Sequence, residues 1–213
     1  MPLVMYNHPK SSASYRVRIA LNLKRLEFQK VNVDLLEGEQ LTPAFVRVNS
    51  ARLVPVLVDG DRIITQSLAI IDYLEDCHPS PPLLPTDPYR RSEVRAFALS
   101  IACDIHPLNN LRVLKYLTGP LGLDVEVKNG WYKHWIREGL GALETRMNQR
   151  AEQTPFCFSD EPGLADICLV PQLANARRTG CDLGPYPMLL GIEQRCMALE
   201  AFLRASPERS AVA

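Results

Sequence analysis

Small polar residues stand near the start of the chain, where a helix is predicted to begin. Lys10, Ser11, Ser12 and Ser14 lead into a segment whose apolar residues recur at helical spacing. The first turn of a helix has backbone N–H groups without an internal partner and carries a partial positive charge. Serine hydroxyls and a lysine ammonium at that point predict a binding site for an anion. Ordinary helix capping by serine is the alternative, and these residues considered alone favour it.

A second predicted helix begins with polar side chains, directly after a β-hairpin. Two β-rich runs flank Asp59-Gly60, a dipeptide typical of tight hairpin turns, between about residues 54 and 65. Pro55 stands at the start of the first run, where a proline removes no hydrogen bond from the sheet. Gln66 and Ser67 then open a helix with an apolar face. The chain therefore has a second helix start whose side chains can bind a polar ligand.

The elements that position these residues predict an α/β region. Up to about residue 77, the hydrophobic patterns follow the order strand, helix, strand, helix, strand, strand, helix. The first strand, helix and second strand form a short unit, so a parallel, right-handed pairing is expected. With the two hairpin strands, the region is predicted to contain a mixed four-stranded sheet with helices.

A proline-rich segment separates this region from a helical one. Five of the eleven residues from His78 to Pro88 are proline, which excludes a helix there. We therefore predict an α/β domain at residues 1–80, a linker at 81–88 and an all-helical domain at 89–213. Helices are expected at about 89–105, 108–117, 125–150, 164–178 and 188–203, and the residues from 205 onward are expected to form a loose tail.

Composition restricts the classes of function. The 213 residues are 46% hydrophobic, enough for one large domain or two modest ones with a buried core. Lysine plus arginine equal aspartate plus glutamate at 24 each, so no net positive field favours a nucleic acid partner. The sequence lacks an apolar run of membrane-spanning length, and its first residues lack the pattern of a signal peptide. A cytoplasmic protein without a membrane partner is therefore expected.

Metal and disulfide chemistry are not indicated by the sequence. The four histidines lack the spacing of metal ligands, so no metal site is predicted. The six cysteines contain no CxxC pair, and in a cytoplasmic protein they are expected to be buried thiols rather than disulfides.

Motifs along the chain resemble those of the zeta class of glutathione transferases. SSASYRVRIAL at residues 11–21 is similar to the class signature SSCSWRVRIAL, and the similarity continues through QSLAIIDYLE, LLPTDP, ADICLVPQLANA and DLGPYP to about residue 205. The resemblance implies a thioredoxin-like glutathione-binding domain, an all-helical substrate-binding domain, glutathione as cofactor and a homodimer. The class includes isomerases of maleylacetoacetate and of maleylpyruvate. CDIHPLNN followed by Leu111-Arg112, and Ala176-Arg177-Arg178, look more like the maleylpyruvate isomerases.

The resemblance also implies roles for individual residues. Those implied in catalysis are Ser11, Ser12 and Arg16. Those implied in glutathione binding are Lys10, Ser11, Gln40, Val54, Gln66, Ser67, His106 and Asn110. Those implied in binding substrate carboxylates are Lys10, Arg112, Arg177 and Arg178. Whether Ser11 or Ser12 contacts the thiolate, and whether Arg177 or Arg178 faces the substrate, stays open. The aromatic residues interpreted as core packing, without a functional role, are Trp131, Tyr132 and Trp135.

The implied function is glutathione-dependent cis–trans isomerisation of a maleyl-type dicarboxylate, either maleylpyruvate or maleylacetoacetate. The glutathione thiol would serve as the nucleophile that adds to the double bond and then leaves. Ala13 stands where the class signature has cysteine, so no step is assigned to a protein thiol there. Two alternatives remain. One is a zeta-like transferase or dehalogenase acting on small halo-acids, and the other is a non-catalytic binding protein of the same fold.

Overall fold

The computed structural model describes residues 2–210, which fall into two compact units. One unit contains the residues up to Leu83 together with those from Met197 onward, and the other runs from Leu84 to Cys196. The division after Leu83 lies inside the linker predicted at residues 81–88. The residues from Met197 are expected from sequence in the helical domain. The structure instead groups them with the first unit, because a helix near the C-terminus packs on the first helix of the chain.

The described residues form four strands and ten α-helices. The strands are β1 (Leu3–Asn7), β2 (Phe28–Asn32), β3 (Val56–Asp59) and β4 (Arg62–Thr65). The helices are α1 (Ser12–Leu23), α2 (Pro43–Val48), α3 (Ser67–Cys77), α4 (Pro88–Leu99), α5 (Leu111–Thr118), α6 (Val125–Asn148), α7 (Leu164–Arg178), α8 (Pro187–Met197), α9 (Glu200–Ala205) and α10 (Pro207–Ser210). Shorter turns are 3₁₀ at Glu39–Leu41 and Pro107–Asn109, and π-helical at Ser100–Ile105.

The first unit contains the predicted mixed sheet of four strands. Its order is β2-β1-β3-β4. β1 and β2 are parallel, whereas β3 is antiparallel to both β1 and β4. Met5, Val56 and Leu57 in the two central strands have no exposed surface, so the core of this unit lies against the middle of the sheet. The parallel pairing of β1 with β2 confirms the strand, helix, strand unit expected from sequence.

Helix α1 is buried on almost every side, which the sequence did not predict. Its apolar residues Val17, Ala20 and Leu21 have no exposed surface, as their helical spacing indicated. Arg16 and Arg18 are expected from sequence to cover other, polar faces, but each is only 1% exposed. The expectation is wrong because α3 and α9 both pack on α1: Arg16 meets Ser67 of α3, and Arg18 meets Ala205 of α9.

The buried guanidinium of Arg18 joins the C-terminal part of the chain to the turn after β1. Its Nε donates to Ala205 O at 2.8 Å, its Nη1 to Asn7 Oδ1 at 2.6 Å and its Nη2 to Pro9 O at 3.0 Å. Burial lowers the pKa of Arg18 to about 10, so the group stays charged at neutral pH. These bonds stabilise the turn that precedes Ser11, a predicted site residue.

A second buried cation stabilises the chain after α3. Lys24 Nζ lies 2.7 Å from Glu75 Oε2, and the Lys24 side chain is fully buried. The same ammonium donates to Pro81 O at 3.0 Å, while Glu75 Oε2 accepts from Leu83 N at 3.0 Å. A buried charge without a partner destabilises a fold by about 3–5 kcal/mol, so these mutual contacts hold the first part of the predicted linker in one conformation.

The regular secondary structure in the described part of the second unit is all helical, as predicted. Every residue of α7 from Leu164 to Leu173 is buried, which makes this helix the centre of the unit. The segment expected as one helix at 89–105 is α4 followed by a π-helical turn, and the helix expected at 188–203 is interrupted between α8 and α9. α10 occupies part of the expected loose tail. Within residues 2–210, no helix combines the length and the apolar character needed to cross a membrane.

Candidate active site

Three segments that carry predicted site residues meet at one edge of the sheet in the first unit. Tyr6 near the end of β1 pairs with Val56, the first residue of β3. Val56 also pairs with Thr65, the last residue of β4. Because β1 and β4 both run antiparallel to β3, the chain leaves β1 and β4 at the edge where it enters β3. The segments at that edge contain Ser11, Val54 and Gln66.

Ser11 is the N-cap of α1 and is partly exposed. Its Oγ accepts a hydrogen bond from Ser14 N at 3.2 Å, and its N–H donates to His8 O at 3.0 Å. A hydroxyl that accepts in this way can still donate its hydrogen to a ligand. Ser12 and Ser14 are buried, whereas Ser11 is half-buried. Among the serines of this turn, Ser11 therefore presents the hydroxyl best placed to reach a bound molecule.

The start of α1 also offers backbone donors. Within residues 2–210, no group accepts a hydrogen bond from the N–H of Ser12 or of Ala13. Unpaired N–H groups at a helix start, together with the helix dipole, favour a negative charge in front of them. Lys10, which directly precedes the N-cap, is exposed and adds a full positive charge. This end of α1 is therefore suited to an anion such as a thiolate.

Val54 lies two residues before β3, and the Val54–Pro55 peptide bond is cis. In the described part of the chain, neither the N–H nor the C=O of Val54 takes part in a hydrogen bond. A residue with both backbone groups unpaired can bind a peptide-like ligand through main-chain hydrogen bonds, as a neighbouring strand would. Val54 thus offers both of its main-chain groups to a peptide-like ligand.

The start of α3 has an unusual backbone conformation. Gln66 is exposed and has a φ of 68°, and its side chain makes no capping bond. A positive φ at a residue with a side chain costs about 1–3 kcal/mol and occurs preferentially at binding sites. Ser67, the first residue of α3, is buried, and its Oγ accepts from Arg16 Nη1 at 3.4 Å. Arg16 is almost fully buried and holds Ser67 through this bond, while its catalytic role stays a prediction.

Gln40 lies on the loop that follows β2. Because β2 is parallel to β1, this loop leaves the sheet at the same edge as the turn before Ser11. Gln40 Nε2 donates to Leu35 O at 3.4 Å, while its Oε1 is buried without a hydrogen-bond partner among the described residues. The amide oxygen therefore keeps an unused acceptor, and the role of Gln40 in ligand binding stays a prediction.

In the second unit, His106 lies between α4 and α5, Asn110 is the N-cap of α5, and Arg112 lies in the first turn of α5. Asn110 Oδ1 accepts from Arg112 N at 3.2 Å. Asn109 Nδ2 donates to Tyr132 O at 3.2 Å, which attaches this part of the chain to α6. The Arg112 side chain is exposed, and no described residue forms a hydrogen bond or ion pair with its guanidinium. Arg112 is therefore available to an anionic ligand.

The last turn of α7 carries two arginines with different partners. Arg177 Nη1 and Nη2 donate to the two carboxylate oxygens of Glu193 at 3.0 and 2.6 Å, and this hydrogen bonding raises the pKa of Arg177. Arg178 Nη2 donates to Asn175 Oδ1, which is a neutral group. The charge of Arg177 is compensated within the protein. The charge of Arg178 is not compensated by this contact, so the geometry favours Arg178 as the one that binds a substrate carboxylate.

Sequence reasoning missed Tyr132 and Asn175. Asn175 Nδ2 donates to Tyr132 Oη at 2.5 Å, so the tyrosine hydroxyl belongs to the hydrogen-bonded surroundings of Arg178. The sequence indicates core packing for Tyr132, and its ring is indeed buried, but the ring position does not reveal the partner of the hydroxyl. Asn175 could have been found from its spacing, because side chains three residues apart on a helix are neighbours.

The chain is similar over almost its whole length to proteins of a known family. The family described as "Glutathione S-transferase, N-terminal domain" matches residues 1–76. A probable maleylacetoacetate isomerase of Vibrio cholerae serotype O1 is 47% identical over 210 residues, which are 98% of this chain and 97% of the relative. The holo structure of maleyl pyruvate isomerase, a bacterial zeta-class glutathione S-transferase, is 42% identical with a TM-score of 0.95 and 97% coverage of both chains. Maleylacetoacetate isomerase of Methylobacterium extorquens AM1, solved with malonate and GSH, is 40% identical with a TM-score of 0.94 and 97% coverage of both chains.

Proposed function

We propose that this chain, which belongs to the zeta class of the glutathione S-transferase family, is a glutathione-dependent isomerase that converts a maleyl-type dicarboxylate from cis to trans. Relatives named as isomerases of this type match nearly its full length. Within the chain, the observation that carries the proposal is the start of α1. There the Ser11 hydroxyl and the N–H groups of Ser12 and Ala13 are available to an anion.

The residues at the sheet edge fit the parts of glutathione. The unpaired N–H and C=O of Val54 can bind the cysteinyl backbone. The start of α3, at Gln66 and Ser67, is suited to the γ-glutamyl end, whose carboxylate is stabilised by a helix dipole. Ser11 then meets the thiol. Lys10, Gln40, His106 and Asn110 are proposed as further contacts to glutathione.

Ser11 and the α1 dipole stabilise the negative charge on sulfur. Bound glutathione supplies a thiolate that adds reversibly to the double bond, so that the bond can rotate while it is single. A free thiol has a pKa of about 8.5, and lowering it by about two units requires ~2.7 kcal/mol. A hydrogen bond to a charged group contributes ~1.5–3 kcal/mol, and a helix N-terminus ~0.3–2 kcal/mol. The two contributions together are sufficient without a protein base.

Two arginines of the second unit suit a dicarboxylate. Arg112 has no hydrogen-bonding partner among the described residues, and Arg178 is held only by a neutral amide. A guanidinium offers two parallel donors that match the geometry of a carboxylate. We assign one carboxylate of the substrate to each arginine, which orients the substrate and stabilises the charge that develops upon addition. Arg177 is not assigned this role because Glu193 already binds its guanidinium.

A side-by-side rate measurement on maleylpyruvate and maleylacetoacetate tests this function. With glutathione far below the substrate concentration, the trans product is expected to exceed the added glutathione many times, and the thiol concentration should stay constant. The compound that is isomerised faster, maleylpyruvate or maleylacetoacetate, is then assigned as the substrate. Net consumption of glutathione with halo-acids, without isomerisation, would establish the transferase or dehalogenase alternative. Failure to bind glutathione-agarose would revive the non-catalytic alternative.

We also propose a cytoplasmic homodimer, which the family membership supports, since two-fold dimers are the commonest closed oligomers. Light scattering at micromolar concentration is expected to give about twice the chain mass of 23.9 kDa. A monomer that retains full isomerase activity would contradict the dimer and leave the proposed reaction unaffected.

A further inference from the structure

We propose that Tyr132 and Asn175 are positioning residues that hold the Arg178 guanidinium ready for a substrate carboxylate. This inference rests on the proposed function, in which Arg178 binds one carboxylate. The three residues form a hydrogen-bonded chain within the second unit, from α6 to the last turn of α7. Tyr132 and Asn175 act only through Arg178 and do not touch the substrate.

The hydrogen bonds determine which way the Asn175 amide points. Arg178 Nη2 donates to Asn175 Oδ1, and Asn175 Nδ2 donates to Tyr132 Oη at 2.5 Å. A guanidinium has donors only, so the amide must turn its oxygen towards Arg178. The amide nitrogen then faces the tyrosine hydroxyl, whose lone pairs accept its hydrogen. Arg178 therefore meets an acceptor whose position is set from the other side by Tyr132.

Tyr132 is a fixed anchor for this chain of hydrogen bonds. Its side chain is buried, and its carbonyl accepts from Asn109 Nδ2 at 3.2 Å. Burial raises the pKa of Tyr132 to about 12, so the hydroxyl stays protonated and neutral at physiological pH. At the other end, Asn175 lies two residues after Leu173, where the continuously buried part of α7 ends. Both helices that contribute to this series of hydrogen bonds are therefore held by the core of the unit.

A neutral partner is what distinguishes Arg178 from the neighbouring arginine. Glu193 binds Arg177 with both carboxylate oxygens and compensates its charge. Asn175 uses an N–H donor of Arg178 but supplies no negative charge. The guanidinium thus keeps its full charge and further donors for a carboxylate. Because its side chain is already ordered, it also loses less conformational entropy when the ligand binds.

The test compares Tyr132→Phe, Asn175→Ala and Asn175→Asp in the full chain. Asn175→Ala releases the guanidinium and is expected to raise KM for the maleyl substrate about 3–10-fold, with kcat within about twofold of wild type, because the loss affects binding of the carboxylate. Tyr132→Phe is expected to have a smaller effect in the same direction. Asn175→Asp keeps the shape of asparagine but forms an ion pair with Arg178, so its KM is expected to rise further than that of Asn175→Ala.

The order of the two Asn175 variants separates positioning from simple packing. A packing role predicts that the isosteric Asn175→Asp is milder than Asn175→Ala, which would overturn the proposal. Unchanged KM in both variants would overturn it too.

Gln149→Glu is the matched control for the added charge. Gln149, the C-cap of α6, lies ~25 Å from Tyr132 along the helix axis, at 1.5 Å per residue. Asn148→Ala, which removes a hydrogen bond to Glu144 at the same end of α6, is the control for amide loss. Both controls are expected to keep the wild-type KM.

A binding measurement distinguishes failure of this inference from failure of the proposed function. Malonate, the dicarboxylate bound in the Methylobacterium relative, is titrated into glutathione-loaded protein by calorimetry. We expect the same order of affinities, wild type above Tyr132→Phe, then Asn175→Ala, then Asn175→Asp. If the wild type isomerises neither maleyl compound but this order holds, the reaction assignment fails and the positioning role stands. If wild-type protein does not bind malonate, or all variants bind it equally, the positioning role is refuted.

Discussion

Ser11→Ala is expected to lower turnover at neutral pH by about 10–100-fold and to raise the pKa of bound glutathione, the equivalent of losing ~1.4–2.7 kcal/mol of thiolate stabilisation. The reason is that Ser11 Oγ is occupied as an acceptor by Ser14 N at 3.2 Å, which leaves its hydrogen to be donated to sulfur. Alanine removes that donor and leaves the helix dipole alone to stabilise the charge. Thiolate absorbance of the glutathione complex, titrated against pH, measures the shift directly, and steady-state rates measure the loss.

The capping role of Ser11 requires a control, because Ser11→Ala also removes the N-cap of α1 at a cost of ~1 kcal/mol in stability. Thr42→Ala removes a comparable cap from α2, where Thr42 Oγ1 accepts from Phe45 N at 3.3 Å. It is expected to lower stability by a similar amount and to leave the thiolate pKa unchanged. Ser11→Thr retains both the hydroxyl and the cap and should recover most of the activity. If Ser11→Ala is silent and Ser12→Ala is not, the thiolate contact belongs to Ser12.

Arg178→Lys is expected to lower kcat/KM for the maleyl substrate by ~1.5–4 kcal/mol, about 10- to 1,000-fold, while glutathione affinity stays nearly unchanged. Lysine retains the charge but lacks the planar pair of donors that matches a carboxylate, and it cannot reproduce the hydrogen bond to Asn175 with the same geometry. Most residues proposed for glutathione lie in the first unit, whereas Arg178 lies in the second. Steady-state kinetics and calorimetric titration with glutathione measure the two quantities separately.

Arg177→Lys is the matched control, since it makes the same chemical change one residue earlier on α7. Because Arg177 is bound by Glu193, the substitution is expected to affect stability and to leave kcat/KM within about threefold of wild type. Arg112→Ala is expected to behave like Arg178→Lys. Wild-type rates in Arg178→Lys and Arg112→Ala would make both residues ordinary surface arginines. A parallel loss of glutathione binding would place them in the cofactor site.

The sequence alone determined the class of fold and identified the serine-rich turn of the candidate site, because both features depend on local patterns. Alternating and helical spacing predicted the mixed sheet and the helical second part, and the structure confirms both. The serine-rich turn before α1 was recognisable because capping is a local interaction between residues three apart, here Ser11 and Ser14. The roles of the individual site residues stay predictions until the variants are measured.

Only the tertiary structure decided which charged side chains are buried and which remain available. Arg18 is buried because Ala205, 187 residues away in the chain, accepts its hydrogen bond. Arg177 and Arg178 are equivalent in sequence, but successive residues on a helix point about 100° apart, at 3.6 residues per turn. One of them therefore meets Glu193, and the other meets an asparagine anchored by Tyr132, 43 residues away. Such partners are brought together by packing between distant segments, which hydrophobic periodicity along a single segment does not encode.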